Sequence, residues 1–175
     1  MIKNKNVDDF AGISMHKIMG RGLAGPMRTG ALTLYVDGDK GNDGNSGLSP
    51  VEAKQTIQSA VDRIALLPWS RIYVFPQDMA STATDPEVYA ETVIIPVTAE
   101  GTQIIGVGTG RTQGGLPEIK IGAGSTAMFT VRAPACRIAN MSINGASSTG
   151  GGIFLDDDGG TSKTAFGFTA YNCHF

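Results

Sequence analysis

The chain has 175 residues with a formal charge of -2, enough for one domain with a sizeable core and no electrostatic case for a nucleic-acid partner. Glycine is abundant, 24 residues, without the strict three-residue period of collagen, and no apolar run reaches membrane-spanning length. Two cysteines, Cys136 and Cys173, are too few for a disulfide scaffold; they either face each other across one coil or, more plainly, are two buried thiols.

Residues 1–30 read as an extended arm. The start, MIKNKNVDDF, is charged but has no apolar stretch behind it, so no signal peptide is expected. Phe10, Ile13, Ile18 and Met19 suit one short amphipathic helix. Leu23 follows in GRGLAGPMRTG, a glycine-rich run with no stable structure of its own. An arm with apolar side chains and no core either docks on a partner through these residues or stays a disordered leader.

Residues 31–76 read as a strand, loop, helix and strand. ALTLYVD, 31–37, alternates and favours a strand, and the polar loop 38–50 follows. In KQTIQSAVDRIALL, Ile57, Ala60, Val61 and Ile64 fall on one helical stripe, with Thr56 as N-cap, predicting a helix from Thr56 to Leu67. RIYVFP, 71–76, is a second strand stopped by Pro76.

Beyond Pro76, residues 77–175 show no further helical period. Short β-type runs alternate with Gly, Ser, Thr, Asn and Asp: ETVIIP, TQIIGVG, PEIKIG, AMFTVRA, CRIANMSING, GGIFLDD and AFGFTAYNCHF. Such strands suit a sandwich or a parallel solenoid. Spacing favours the solenoid. TQIIGVG aligns with CRIANMSI, Ile104 on Ile138 and Gly106 on Asn140; CRIANMSI aligns with FTAYNCHF, Asn140 on Asn172, Met141 on Cys173 and Ile143 on Phe175. Stacked coils would repeat one residue type at one corner, with each asparagine side chain bonding backbone groups at its turn. Chance similarity between short segments is the competing account. The expected fold is all-β, a right-handed parallel β-helix with an N-terminal capping helix lying over the first coil. The ending in NCHF suits either a chain that continues or a last strand that meets a partner.

Residues 34–95 resemble the N-terminal capping region of the pectate-lyase-like right-handed β-helix superfamily. The resemblance rests on YVDGDKGNDGNSGLSP, KQTIQSAVDRI, RIYVFP and then VYAETVIIP, whose tyrosine and glutamate lead the first coil strand. It departs at the insert QDMASTATDPE, 77–87. The family includes polysaccharide lyases and hydrolases, surface proteins, and bacteriophage tail spikes and tail fibres. A glycine-rich arm before a β-helix is most similar to the phage proteins. The resemblance therefore implies a virion protein, commonly a homotrimer, attached through residues 1–30 to other tail or baseplate proteins and able to meet host surface polysaccharide. A glycan-degrading enzyme and a cell-surface adhesin are the alternatives.

Carbohydrate chemistry on such a scaffold needs clustered acids. Asp156 and Asp158 share one strand face and are the candidates for catalysis, although a run before Gly159 and Gly160 is also an ordinary solvated corner. Asp37, Asp39 and Asp43, with Asn42 and Asn45, offer oxygens for calcium. Their spacing misses the D-x-[DN]-x-[DN]-G pattern, and a turn-rich loop accounts for them equally. No other cofactor is expected. His16 and His174 lack ligand partners at metal spacing, and Arg111, Arg132 and Arg137 suit a solvated surface that meets acidic sugars or a neighbouring subunit.

Overall fold

A computed structural model describes residues 30–77, 88–108, 115–121, 127–145, 151–157 and 165–175. The first strand, β1 (Thr33–Val36), is followed by a 3-10 turn at Pro50–Glu52, helix α1 (Ile57–Arg63) and β2 (Arg71–Val74). Nine more strands follow among the described residues: β3 (Tyr89–Ala90), β4 (Val93–Ile95), β5 (Gln103–Gly106), β6 (Glu118–Lys120), β7 (Ala127–Val131), β8 (Arg137–Ala139), β9 (Ser142–Asn144), β10 (Gly151–Leu155) and β11 (Thr169–Tyr171).

They form three sheets, ordered β1-β2-β5-β8-β11, β3-β6-β9 and β4-β7-β10. Each strand pairing is parallel. The chain therefore visits the three sheets in turn and climbs one strand per circuit, which is a right-handed parallel β-helix. A sandwich would need antiparallel sheets packed face to face, so that alternative falls.

Side-chain alternation explains the stack. In β1, β2 and β5 every second residue points inward, and Leu34, Ile72, Ile104 and Ile138 lie in one column, each fully buried. Burying each such side chain contributes about 1.5–3 kcal/mol. The core is one continuous cluster running from Leu34 and the helix residues to Ile143 and Ala165. Cys136 is buried within it and Cys173 packs at its margin, both as free thiols. Burial pushes the Cys136 thiol up to about 11, so it behaves as a small apolar side chain.

The helix sits between β1 and β2 in sequence and packs on β1, β2 and β4, with Ile57, Ala60, Val61 and Ile64 all fully buried. It is shorter than the predicted Thr56–Leu67. Ile64 is already the C-cap, with ψ 6°, and the chain runs through turns to Trp69, whose φ is 66°. Pro68 disfavours helical backbone at Leu67, so the apolar period outlasts the helix.

One side chain caps this helix, and three more bind it and its loop to the first coil. Thr56 Oγ1 caps Ser59 N–H at 3.1 Å. The Glu91 carboxylate accepts from Ile57 N–H and Gln58 N–H, each at 2.9 Å, covering donors that an α-helix cannot satisfy itself. Gln58 Oε1 accepts from Ile94 N–H at 2.7 Å, so a side-chain amide takes the place of a neighbouring strand at the outer edge of β4. Tyr89 Oη donates to Phe75 O at 2.7 Å and accepts from Gly38 N–H at 3.0 Å. The tyrosine and glutamate of VYAE are thus the two residues that fasten the cap.

Candidate functional site

The polar face of the second sheet offers the most varied chemistry among the described residues. Register places Glu118 beside Ser142, Ile119 beside Ile143 and Lys120 beside Asn144 on β6 and β9. The two isoleucines point into the core, and of the flanking polar residues Lys120 is exposed, Glu118 and Asn144 are half-buried and Ser142 is buried. Asn144 Nδ2 donates to Glu118 Oε1 at 2.7 Å, and Ser142 Oγ lies 3.5 Å from Glu118 Oε2. His174 pairs with Ser142 through a parallel bridge, and its neighbour Phe175 is 70% exposed. Glu118, Ser142, Ile143, Asn144, Gly145, His174 and Phe175 line a groove of about 330 Å³. A carboxylate, an amide, a hydroxyl, an imidazole and an aromatic ring in one groove match a ligand with hydroxyl edges and an apolar face.

Among the described residues the groove is lined by one carboxylate side chain, Glu118, whereas hydrolysis by paired acid and base uses two at about 5–10 Å. Sequence reasoning passed over Glu118, because PEIKIG reads as any short strand with a solvated acid. The readable signal was the pair E-I-K and S-I-N, which stack on each other.

Asp156 lies elsewhere, just beyond β10 in the third sheet. Register pairs Val131 with Leu155, so the next residues, Arg132 and Asp156, meet across adjacent coils, Nε to Oδ2 at 2.8 Å. Their side chains are 34% and 20% exposed. A salt bridge of this kind clamps one coil to the next, and it directs Arg132 to a carboxylate of this chain rather than to solvent. Asp156 and Asp157 also line a shallow cleft of about 250 Å³ with Leu155, Ala165 and Phe166. Asp158 lies outside the described residues, as do Arg111 and the arm residues Phe10, Ile13, Ile18, Met19 and Leu23.

The loop oxygens are used locally. Asp37 Oδ1 accepts from Asp39 N–H and Lys40 N–H, both at 3.0 Å. Asp43 Oδ1 accepts from Gln55 N–H and Thr56 N–H, and its Oδ2 accepts from Thr56 Oγ1, all at 2.9 Å. Partial burial pushes the Asp43 carboxyl up, but the bonds from Thr56, Gln55 and Ser59 outweigh it and hold the group below its usual range. Among the described residues no three His, Cys, Asp or Glu side chains gather as a metal site would need.

At the solenoid corner, Asn140 and Asn172 stack with φ of 55° and 50°. Asn172 Nδ2 donates to Asn140 Oδ1 at 2.9 Å, so the two side chains bond each other along the axis instead of reaching turn backbone. Gly106 stands at the same corner one coil earlier: a Cβ there would lie 1.8 Å from Asn140 O. Phe175 follows the bridge that joins Ser142 to His174, but its ring is exposed while Ile143 is buried.

Among the described residues no helix is long and apolar enough to cross a membrane. No protein-family model, curated protein or solved structure matches this chain.

Proposed function

We propose that this chain is a virion structural protein, the N-terminal part of a bacteriophage tail spike or tail fibre, whose β-helix recognises host-surface glycan. In this reading residues 1–30 attach it to other tail or baseplate proteins, and it works as a homotrimer. The fold itself is equally compatible with a polysaccharide lyase or hydrolase. One observation favours recognition over cleavage: the groove along β6 and β9 has the chemistry of a sugar site, with Glu118 its one carboxylate side chain among the described residues. Of the two acids that the sequence puts forward for catalysis, Asp156 and Asp158, the first is engaged by Arg132.

The test is incubation of the purified chain with a panel of bacterial surface polysaccharides. Binding should occur with no new reducing ends and no unsaturated products. Depolymerisation by residues 1–175 would replace this reading with the enzymatic one. In a phage that carries the gene, deleting residues 1–30 should abolish incorporation into the particle without lowering the melting temperature of the remainder, and normal incorporation would remove the attachment role.

A further inference from the structure

Of the asparagines in this chain only Asn144 is followed by glycine. It is the last residue of β9, the outermost described strand of the second sheet, and it is half-buried while Gly145 is exposed. The bridge to His174 covers that edge at Ser142 and at Ile143, whose N–H donates to His174 O at 2.7 Å. Asn144 lies past it. The other described asparagines are held differently. Asn42 Oδ1 accepts from Gly44 N–H at 2.8 Å, Asn45 Nδ2 donates to Ala53 O at 3.0 Å, and Asn140 and Asn172 bond each other. Each of these precedes a residue whose side chain crowds the next main-chain nitrogen.

Gly145 is not a glycine that the fold requires. Among the described residues a Cβ there would meet only Met128 Cε, at 3.9 Å, and its φ lies outside the left-handed region. The missing side chain leaves its nitrogen open to the Asn144 amide, and its position just past a strand end leaves the main chain there the greatest freedom to turn.

We propose that Asn144 and Gly145 form a self-modification site, where the chain converts the Asn144 amide to a carboxylate and gives the groove along β6 and β9 a second acid. The Gly145 main-chain nitrogen attacks Asn144 Cγ, forming a C–N bond as its proton passes to water. The Cγ–Nδ2 bond breaks, and Nδ2 leaves as ammonia with a proton from water, giving a cyclic imide. Water then opens the imide at one carbonyl or the other, leaving aspartate or isoaspartate. Water is consumed and ammonia released, with no oxidant or reductant.

The new acid has a defined neighbour. Asn144 Nδ2 donates to Glu118 Oε1 at 2.7 Å, and an ionised aspartate has no donor to offer, so two carboxylates would meet at that spot. Like charges so close oppose each other, and either one takes a proton or the side chains part. Isoaspartate goes further, adding a carbon to the main chain where β9 ends. The altered groove is the one on which glycan recognition rests, but the conversion itself does not depend on what the groove binds.

In the test, the purified full chain is incubated at mildly alkaline pH, sampled over days, cut with trypsin and read by mass spectrometry. Peptide 138–163 carries both Asn140 and Asn144, so one fragment spectrum compares them. The acid form should accumulate at 144 while Asn140 keeps its amide. Gly145→Ala should slow conversion at 144 and leave the melting temperature unchanged. Should that variant melt early, Asn144→Gln replaces it; its longer side chain closes a larger ring more slowly and should keep its amide. Asn144→Asp, which installs one product directly, should melt below wild type at neutral pH. Asn144→Asp/Glu118→Gln should recover that loss by exchanging donor and acceptor.

An amide at 144 that lasts as long as the one at 140, or conversion of Gly145→Ala at the wild-type rate, would overturn the proposal. Wild-type stability in Asn144→Asp, or no recovery in the double variant, would do the same by leaving the acid without effect on Glu118. Conversion is read by mass alone, so a failure of polysaccharide binding would sink the glycan reading and leave this one standing.

Discussion

Removing one asparagine of the corner pair separates two energies that the structure superimposes there. Asn140 sits at φ 55°, in the left-handed region, and accepts the side-chain bond from Asn172 at 2.9 Å. An alanine at such a φ costs about 1–2 kcal/mol because its Cβ crowds the following carbonyl. The bond joins two neutral amides, one half-buried and one exposed, and contributes about 0.5–1 kcal/mol. Asn140→Ala should therefore destabilise by about 2 kcal/mol, lowering the melting temperature of a chain this size by about 4–8 °C. Asn140→Gly relieves the backbone but retains the loss of the bond and adds unfolded-state entropy, so it should cost about 1 kcal/mol. The coupling with Asn172→Ala in a double-mutant cycle should be about 0.5–1 kcal/mol. Urea denaturation with unchanged m-values is the assay. Equal cost for Ala and Gly would show that φ is not the cause, and zero coupling would show that the stacked amides contribute nothing.

Gly106→Ala should leave no folded soluble chain by far-UV circular dichroism. Its Cβ would lie 1.8 Å from Asn140 O and 2.8 Å from the Pro117 ring, contacts that the sheet can relieve only by parting, and a wild-type melting temperature would refute this. The pH profile of stability should have two limbs. Asp43 is held below its usual 3.8, so its contribution is present above that value and lost as pH falls through the lower folded value; Asp43→Asn should flatten this limb. Glu91 is raised above 4.5 by burial, which outweighs the two backbone bonds it accepts, so its contribution is full below 4.5 and is lost as pH rises through the higher folded value. Thermal melts of Glu91→Gln that keep the wild-type fall above pH 4.5 would contradict that assignment. A chelator should not change the melting temperature, because the oxygens of Asp37 and Asp43 already accept protein donors; a drop reversed by added calcium would restore the cation site.

What could be read from the residues follows from which sheet they belong to. The first sheet was legible because an inward isoleucine recurs in β2, β5 and β8, so Ile104 and Ile138 align by eye. The other two sheets were not. The two-residue β3 and the three-residue β4, β6 and β9 are too short to show a period, and the segments joining them differ in length from coil to coil. The helix stripe was visible in Ile57, Ala60, Val61 and Ile64, yet its end depended on Pro68 and a left-handed Trp69, which an apolar period does not report. The site was harder still. Asp156 looked like an acid in search of a partner, and only the coil register brings Arg132 beside it. Glu118 and Asn144 are distant in sequence and become neighbours through sheet pairing alone.

A parallel stack also explains why surface side chains of this chain fall into rows. Every outward residue has a counterpart one strand above and below at nearly constant spacing, so any useful side chain tends to become a row. Rows need a rigid, correctly registered start, since a one-residue slip would turn Arg71 and Tyr73 inward and Ile72 outward. The cap supplies that start. Gln58 satisfies the edge of β4, Glu91 fixes the helix to the first coil, and Tyr89 pins the loop that follows β1. Each of these is a side chain reaching backbone, which sets position to within a hydrogen bond. The polar devices at the cap therefore contribute less to the bulk of stability than the isoleucine column does, but they determine the phase in which the outward side chains are presented.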